Sequence, residues 1–365
     1  MKLQNTHNKL LSSGSFGCVV SPPFPKTNNR RNYDIVYNNQ LLNDIGKIYK
    51  NQYKPADIVY REELNLLKMI DRLDPHSIFT TKLKGAFAID NISITNNKID
   101  NKIRECLNTN TNQDTYYQII LENGGKDLEN NYRINYIYFL KKILTLIYGM
   151  IILQNNGLVH QDIKPLNVLI NQKKFSLIDF GLMKMMSQIY TQDNLDRLTS
   201  YSYPYNPPEY LIASIFIDNK VNSINAFGKN EVINTLNKTI LKAHFLQNKN
   251  IGKNLRAIYI EGITDFLNEI YKNNKSFSEI FNKDLAMKAD VFSFAYIIYE
   301  LNKHIIYKYE KEKIFVSKLY HYCIKANPYK RATFKSLYNM VYHEIKRISQ
   351  FKGEKKSVRQ VKKKI

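Results

Sequence analysis

The stretch Leu158-Val-His-Gln-Asp-Ile-Lys-Pro-Leu-Asn-Val-Leu-Ile170, followed by Leu177-Ile-Asp-Phe-Gly181, sets the terms for the whole chain. Apolar residues flank both polar clusters: Leu158 and Val159 before the first, Val168, Leu169 and Ile170 after it, then Phe175, Leu177 and Ile178 before the second. That pattern predicts a loop closed by a short strand, a turn, and a second strand ending at Asp-Phe-Gly. The polar positions are Asp162, Lys164, Asn167 and Asp179. Phosphoryl transfer from Mg-ATP needs such a set: a carboxylate to orient a hydroxyl, an ammonium to meet the moving phosphate, and an amide and a carboxylate to hold the metal.

With these residues in place the chain resembles the eukaryotic-type protein kinases, whose signatures include H-R-D-L-x-x-x-N and D-F-G. The resemblance implies an α+β, bilobal protein kinase fold. Its small, mainly β N-lobe would span residues 1–121 and its larger, mainly α C-lobe 122–345, with a basic tail over 346–365. It implies ATP as phosphoryl donor and protein substrates. Asp162 would be the catalytic base, with Lys164 the cation at the phosphoryl group. Asn167 and Asp179 would be ligands to a hard Mg²⁺, with Mn²⁺ as the alternative cation. The form D-x-K-P-x-N is similar to that of Ser/Thr kinases. His160 would be structural and not a base, and Ser202 stands where such kinases place a Thr that bonds the catalytic loop. Gln161 replaces the family's Arg, which pairs with a phosphorylated activation-segment residue through a charge-assisted contact. Gln carries no such charge, so other contacts must hold the segment.

Upstream lies Leu11-Ser-Ser-Gly-Ser-Phe-Gly-Cys-Val19, a glycine-rich turn between two strands, where backbone N–H groups can approach phosphate oxygens. The kinase form is G-x-G-x-x-G-x-V. Ser12 takes the first Gly position, while Gly14, Gly17 and Val19 fit, and the resemblance adds Leu11 to the ATP-binding set. The polar stretch from Ser21 to Asn43 reads largely as loop. Asp44-Ile-Gly-Lys-Ile-Tyr49 resembles the family's lysine strand, with Lys47 gripping the phosphates. The helix from Ile58 to Ile70 puts Tyr60, Leu64 and Leu67 on one face. Glu62 and Glu63 compete to partner Lys47. Glu63 is preferred because Leu67 follows four residues later, although Leu66 does the same for Glu62. Residues 89–115 read as a long loop. Tyr116–Leu121 is then a strand and Glu122-Asn-Gly-Gly125 a connector. The resemblance makes this the hinge, with Leu121 behind the adenine and Glu122 binding through its backbone.

A helical pattern through Leu140, Ile143, Leu144, Ile147 and Ile151 leads into the catalytic loop. Residues 179–209 resemble an activation segment ending in Pro207-Pro-Glu209. The helix from Ala289 to Leu301 resembles the buried central helix, whose Asp290 would hold the catalytic loop's backbone. In Asn327-Pro-Tyr-Lys-Arg-Ala-Thr333, Arg331 would pair with Glu209. Glu209 and Asp290 stand 81 residues apart, so residues 212–283 read as an insertion, helical over 233–246 and 255–271. It could dock a partner, brace the lobe, or be merely tolerated.

At 365 residues and 44% hydrophobic, the chain can bury a sizeable core. Cys18, Cys106 and Cys323 match no metal spacing and read as reduced thiols. The N-terminus lacks the apolar core of a signal peptide, and the run from Ile143 to Leu153 is too short to span a bilayer. No transmembrane segment and an intracellular, cytoplasmic location are therefore expected. The net charge of +22 favours acidic partners, although Asn/Lys/Ile-rich coding bias explains much of it. The tail stands out, with nine Lys/Arg against Glu354 over residues 346–365. It should be mobile past about residue 350 or extend one exposed helix, and two readings compete for it: a solvated, inert tail, or docking onto nucleic acid or an acidic protein surface. The composition and the inserted loops resemble kinases of large cytoplasmic DNA viruses, which implies virion association.

Two functions compete: an active protein Ser/Thr kinase, or a catalytically dead kinase-fold scaffold acting through the insertion and tail. The intact set Lys47, Asp162 and Asp179 favours the first. Pro207-Pro-Glu209 argues against a small-molecule kinase.

Overall fold

The computed structural model describes residues 8–13, 17–24, 33–35, 43–50, 55–90, 100–107, 115–130, 132–199, 205–220, 228–240, 253–273 and 275–361, some of them by backbone alone. Gly14, Ser202 and part of the 233–246 helix lie outside the described residues. The chain divides into two compact units, residues 1–125 with 176–181, and residues 126–175 with 182–365. The first boundary falls four residues after the expected one. Glu122 is the reason: its N–H donates to Lys82 O (2.9 Å) and its carboxylate accepts from Lys82 N (3.3 Å), which keeps the connector with the sheet. Residues 176–181 join the first unit because Leu177 N donates to Phe79 O at 2.7 Å, beside a parallel bridge between Thr80 and Leu177.

The first unit is an antiparallel sheet with a helix. Its strands are β1 (Lys9–Ser13), β2 (Gly17–Ser21), β3 (Tyr33–Ile35), β4 (Ile45–Tyr49), β5 (Leu83–Asp90) and β6 (Thr115–Leu121), in the spatial order β1-β2-β4-β6-β5-β3. Within residues 21–43, read as largely loop, the short strand β3 pairs with β5 at the sheet edge. Phe24 is also fully buried, its backbone N–H and C=O both bonded to the Gln118 amide (3.0 and 3.1 Å). Helix α1 (Ala56–Leu73) buries Ala56, Tyr60, Leu64, Leu67 and Ile70, a stripe at 3–4 residue spacing. A second correction concerns residues 89–115. Helix α2 (Asn101–Leu107) interrupts the expected loop, because Ile103 and Leu107, four apart, both reach the core under the sheet. Its start is held by Asp100, whose carboxylate accepts from Lys102 N. A third overturns the reduced-thiol reading: Cys18 of β2 and Cys106 of α2 form a disulfide, while Cys323 is a buried free thiol.

The second unit is mainly helical. Its short strands β7 (Lys126–Asp127) and β10 (Val168–Ile170) pair, as do β9 (Leu158–Val159) and β12 (Lys184–Met185), and β8 (Ile134–Asn135) with β13 (Ile305–Ile306). Strand β11 (Phe175–Leu177) crosses the division between the units. Helix α3 (Tyr136–Asn155) is capped by Asn135 and buries Phe139, Leu140, Ile143, Leu146, Ile147, Met150 and Leu153. At 20 residues it is longer than the eleven-residue apolar run. It is the one helix among the described residues long and apolar enough to cross a membrane, yet 56% of its most apolar window is buried within the fold. The remaining helices are α4 (Gln192–Thr199), α5 (Pro208–Asp218), α6 (Lys229–Ile240), α7 (Lys253–Lys272), α8 (Phe277–Ile280), α9 (Lys283–Asn302), α10 (Glu310–Cys323) and α11 (Phe334–Val361).

The insertion is built into this core. Val232 of α6 and Tyr259, Ile263, Phe266, Leu267 and Ile270 of α7 bury against the cluster that holds Tyr210, Phe216 and Phe292. Gly262 of α7 packs so closely on Ala326 and Asn327 that an added methyl would sit 3.0 Å from Ala326 Cβ. Bracing is therefore the reading the packing supports. The insertion's first residues continue α5 without a break, so no boundary falls at 212. Likewise α11 runs through 345 and 346 without interruption, and the tail begins as its last turns, with Arg347 bonded to Glu344 (2.6 and 2.7 Å).

Candidate active site

The catalytic-loop residues converge in the second unit around one carboxylate. Asp162 Oδ2 accepts from Lys164 Nζ at 3.0 Å and from Asn167 Nδ2 at 2.7 Å, and Asn167 Nδ2 also reaches Asp162 O at 2.8 Å. The Asp162 side chain is 8% exposed and that of Lys164 22%, so the pair is shielded but reachable. Local sequence produces this arrangement. Pro165 opens a single 3₁₀ turn over Pro165–Asn167, closed by Asn167 N to Lys164 O at 3.0 Å, which swings the amide back over Asp162. Leu128 N anchors the turn at Pro165 O, beside the pairing of Leu169 with Asp127.

Asp290 holds the loop from behind. Its two carboxylate oxygens accept the backbone N–H groups of His160 (2.7 Å) and Gln161 (3.0 Å). Gln161 sits at φ 65, a left-handed conformation that costs a non-glycine residue free energy, and these bonds hold it there. Burial raises the pKa of the Asp290 carboxyl, while His160 and the two amide bonds press it back down; the net shift is upward. His160 is fully buried, and its Nδ1 accepts from Asp162 N at 3.3 Å, a structural contact. The Gln161 side chain is buried beside the Tyr210 hydroxyl.

In the first unit Lys47 and Glu63 form a two-pronged ion pair at 2.7 and 2.8 Å. The structure thus selects Glu63 over Glu62. Glu63 borders the buried stripe of α1 and is partly sheltered, whereas Glu62 is exposed. Burial presses the Lys47 pKa down, but the carboxylates of Glu63 and Asp179 outweigh it and the net shift is upward, so the ammonium stays charged. Asp179, at φ 61, is also left-handed. Val19 pairs with Lys47 across β2 and β4, Leu11 is exposed on β1, and Gly17 has a packing role that the sequence did not reveal: a Cβ there would collide with Ile48 O. Leu121 ends β6, in register with both Ile45 and Leu83.

Asp74, not singled out from sequence, organises the approach to Asp179. Its carboxylate accepts four bonds, from Ile78 N (2.7 Å), Phe79 N (3.0 Å), Thr80 N (3.0 Å) and Thr80 Oγ1 (2.8 Å). Phe79 O then receives Leu177 N, two residues before Asp179. The signal was available as an Asp-Pro directly after a helical pattern. Asp74→Ala should strand several buried donors and lower stability by about 2–4 kcal/mol. Chemical denaturation of the two proteins checks this, with Asp74→Asn expected in between.

Glu209 and Arg331 meet as expected, through two bonds of 2.6 and 2.9 Å, with both side chains 0% exposed. This pair closes the activation segment onto the second unit. In the described part of the segment, Leu195 of α4 is fully buried and Asn194 Nδ2 donates to Ile189 O at 2.8 Å.

The Asp162–Lys164–Asn167 cluster, the left-handed loop hung on Asp290 and the Arg331–Glu209 clasp all lie in a region that known proteins share. The protein kinase domain family matches residues 80–343, well over half of the chain. The chain belongs to the protein kinase family. The matched region takes in the catalytic loop, Asp179, Glu209, Asp290 and Arg331 but begins after Lys47 and Glu63, whose placement rests on sheet register and the ion pair. A probable serine/threonine-protein kinase of Dictyostelium discoideum is 41% identical over 69 residues, which are 18% of this chain and 7% of that relative's length.

The donors suit a hard cation. Asn167 uses Nδ2 for both of its bonds to Asp162, which leaves Oδ1 as the atom able to meet a cation. Among the described residues no group of three or more His, Cys, Asp or Glu could hold a metal alone. Few protein ligands, with phosphate oxygens and water completing the shell, is how Mg²⁺ is ordinarily bound beside a nucleotide.

Proposed function

We propose that the protein is an ATP-dependent protein serine/threonine kinase. The observation that carries this reading is the convergence of Lys164 and Asn167 on Asp162 Oδ2. Asp162 accepts a hydrogen bond from the substrate hydroxyl, aims its oxygen at the γ-phosphorus and takes the proton late in the transfer. As the new P–O bond forms, the bond to the β–γ bridging oxygen breaks and ADP departs. Lys164, held beside Asp162, supplies positive charge to the moving phosphoryl group. Lys47, kept charged by Glu63 and Asp179, grips the α- and β-phosphates. Asn167 and Asp179 would hold Mg²⁺ (or Mn²⁺), which when bound neutralises phosphate charge. Lys164 at its place two residues after Asp162 supports the Ser/Thr class, and the Dictyostelium relative is itself named as a probable serine/threonine-protein kinase.

The test is incubation of the purified protein with labelled ATP, Mg²⁺ or Mn²⁺, and a panel of Ser/Thr-rich and Tyr-rich proteins. Label should appear on Ser or Thr and vanish when the divalent cation is chelated. No transfer to any substrate, or transfer to Tyr alone, would overturn the reading.

Activity should not require activation-segment phosphorylation. Gln161 offers no charge for a phosphate, and the described part of the segment is held by buried Leu195, by Asn194 and by the Glu209–Arg331 clasp. Phosphatase treatment followed by assay should leave the rate within about twofold, since no charge-assisted contact is lost. A collapse in rate traced to a phosphosite between Leu182 and Ser202 would show otherwise.

A further inference from the structure

We infer that the Cys18–Cys106 disulfide is a thiol–disulfide exchange site, opened at Cys106 by small anionic thiols of the glutathione class. The two sulfurs differ in access. Cys18, in β2, is 0% exposed. Cys106, on α2, is only partly buried and lines a cleft of about 430 Å³ together with Leu10, Ser13, Lys50, Lys102 and Glu105. Of the two half-cystines only Cys106 lines the cleft, with two ammonium groups against one carboxylate at its walls. A thiolate with net negative charge gains concentration there, and one whose charge is cancelled by its own ammonium, as in cysteamine, does not.

The chemistry balances without any other reagent. A thiolate RS⁻ bonds to Cys106 Sγ, the Cys18–Cys106 S–S bond breaks, and its electron pair leaves on Cys18 Sγ. A second RS⁻ attacks the outer sulfur of the mixed disulfide, forming RSSR and releasing the Cys106 thiolate. Two thiols are oxidised by two electrons in all, and the cystine is reduced by two.

The bond joins elements that matter. Cys18 follows Gly17 and pairs with Ile48, one residue from the pairing of Val19 with Lys47, and Cys106 Sγ lies 4.0 Å from Gly17 O. α2 has seven residues, too few to be stable alone in water, so it depends on Ile103, Leu107 and this bond for its place. Reduction releases one of those three anchors from the strand that carries Gly17 and Val19. In reducing compartments, disulfides of this kind are usually transient and redox-sensing.

The test uses the oxidised full-length chain. Free thiol release is followed with glutathione, 2-mercaptoethanol and cysteamine at equal thiolate concentration. Each rate is divided by that thiol's rate on a small neutral disulfide. At low salt glutathione should lead cysteamine by about three- to tenfold, and the gap should close at moderate salt. The trapped mixed disulfide should map to Cys106, and hydrogen exchange over residues 101–107 should quicken after reduction. Lys50→Gln with Lys102→Gln should erase the preference. An adduct on Cys18, equal or faster reaction with cysteamine, or no exchange without denaturant would each overturn the proposal. None of these readouts uses phosphotransfer, so they stand or fall apart from the proposed activity.

Discussion

Asp162→Asn is expected to lower the turnover number by about a thousandfold while leaving the KM for ATP within about threefold, as the proposed role of Asp162 as a positioned base requires. The reason lies in how the carboxylate is surrounded. Its Oδ2 takes hydrogen bonds from both Lys164 and Asn167. An asparagine can turn its own Oδ1 toward those donors and keep the loop in place, but it can neither take a proton nor orient a hydroxyl with a full negative charge. Thermal unfolding should therefore change little. Asp179→Asn should behave differently, losing metal-dependent nucleotide binding as well as rate. Steady-state kinetics with a Mg²⁺ titration on both variants separates the two roles. Wild-type turnover by Asp162→Asn would remove Asp162 from the chemistry.

The catalytic loop was legible because its contacts are local. Asp162, Lys164 and Asn167 span six residues, and Pro165 sets the one turn that brings them together. The face of α1 was legible for the same reason, since Tyr60, Leu64 and Leu67 follow a single period. Sequence could not decide between Glu62 and Glu63, because each has a leucine four residues on. Only the neighbouring strand, which places Lys47 beside one edge of that face, decides it. Longer-range features stayed hidden. α2 has only two buried apolar residues in a polar, Asn-rich stretch, so its periodic signal is slight, and its partner cysteine lies 88 residues away. The insertion showed its helices but not their partners: Tyr259, Ile263 and Phe266 read as an ordinary amphipathic face until they are seen against Phe292 and Ala326. Spacing predicts which side chains share a face, and tertiary contact alone says what that face meets.

Arg331→Met should be the most destabilising single substitution of a charged residue in the second unit, by about 3–5 kcal/mol, because it strands a buried carboxylate. Four hydrogen bonds end on the guanidinium: two to Glu209 (2.6 and 2.9 Å), one to Lys288 O (2.7 Å) and one to Lys325 O (2.9 Å). It also stacks over Phe292, 5.0 Å from the ring centre. Both partners are out of water, so the charge on Glu209 would have neither a counterion nor solvent in the variant. Glu209→Gln should cost less, since an amide still accepts one bond from Arg331 and the stranded cation keeps its two carbonyl partners. The double variant Glu209→Leu with Arg331→Met should recover much of the stability lost by Arg331→Met, as buried ion pairs replaced by apolar residues often do. Activity should not return with it. Glu209, in the first turn of α5, is the last residue of the activation segment, and the clasp fixes where that segment ends. Urea unfolding and phosphotransfer measured on the same three proteins would separate the two effects. Full activity in a stable double variant would reduce the clasp to a packing element.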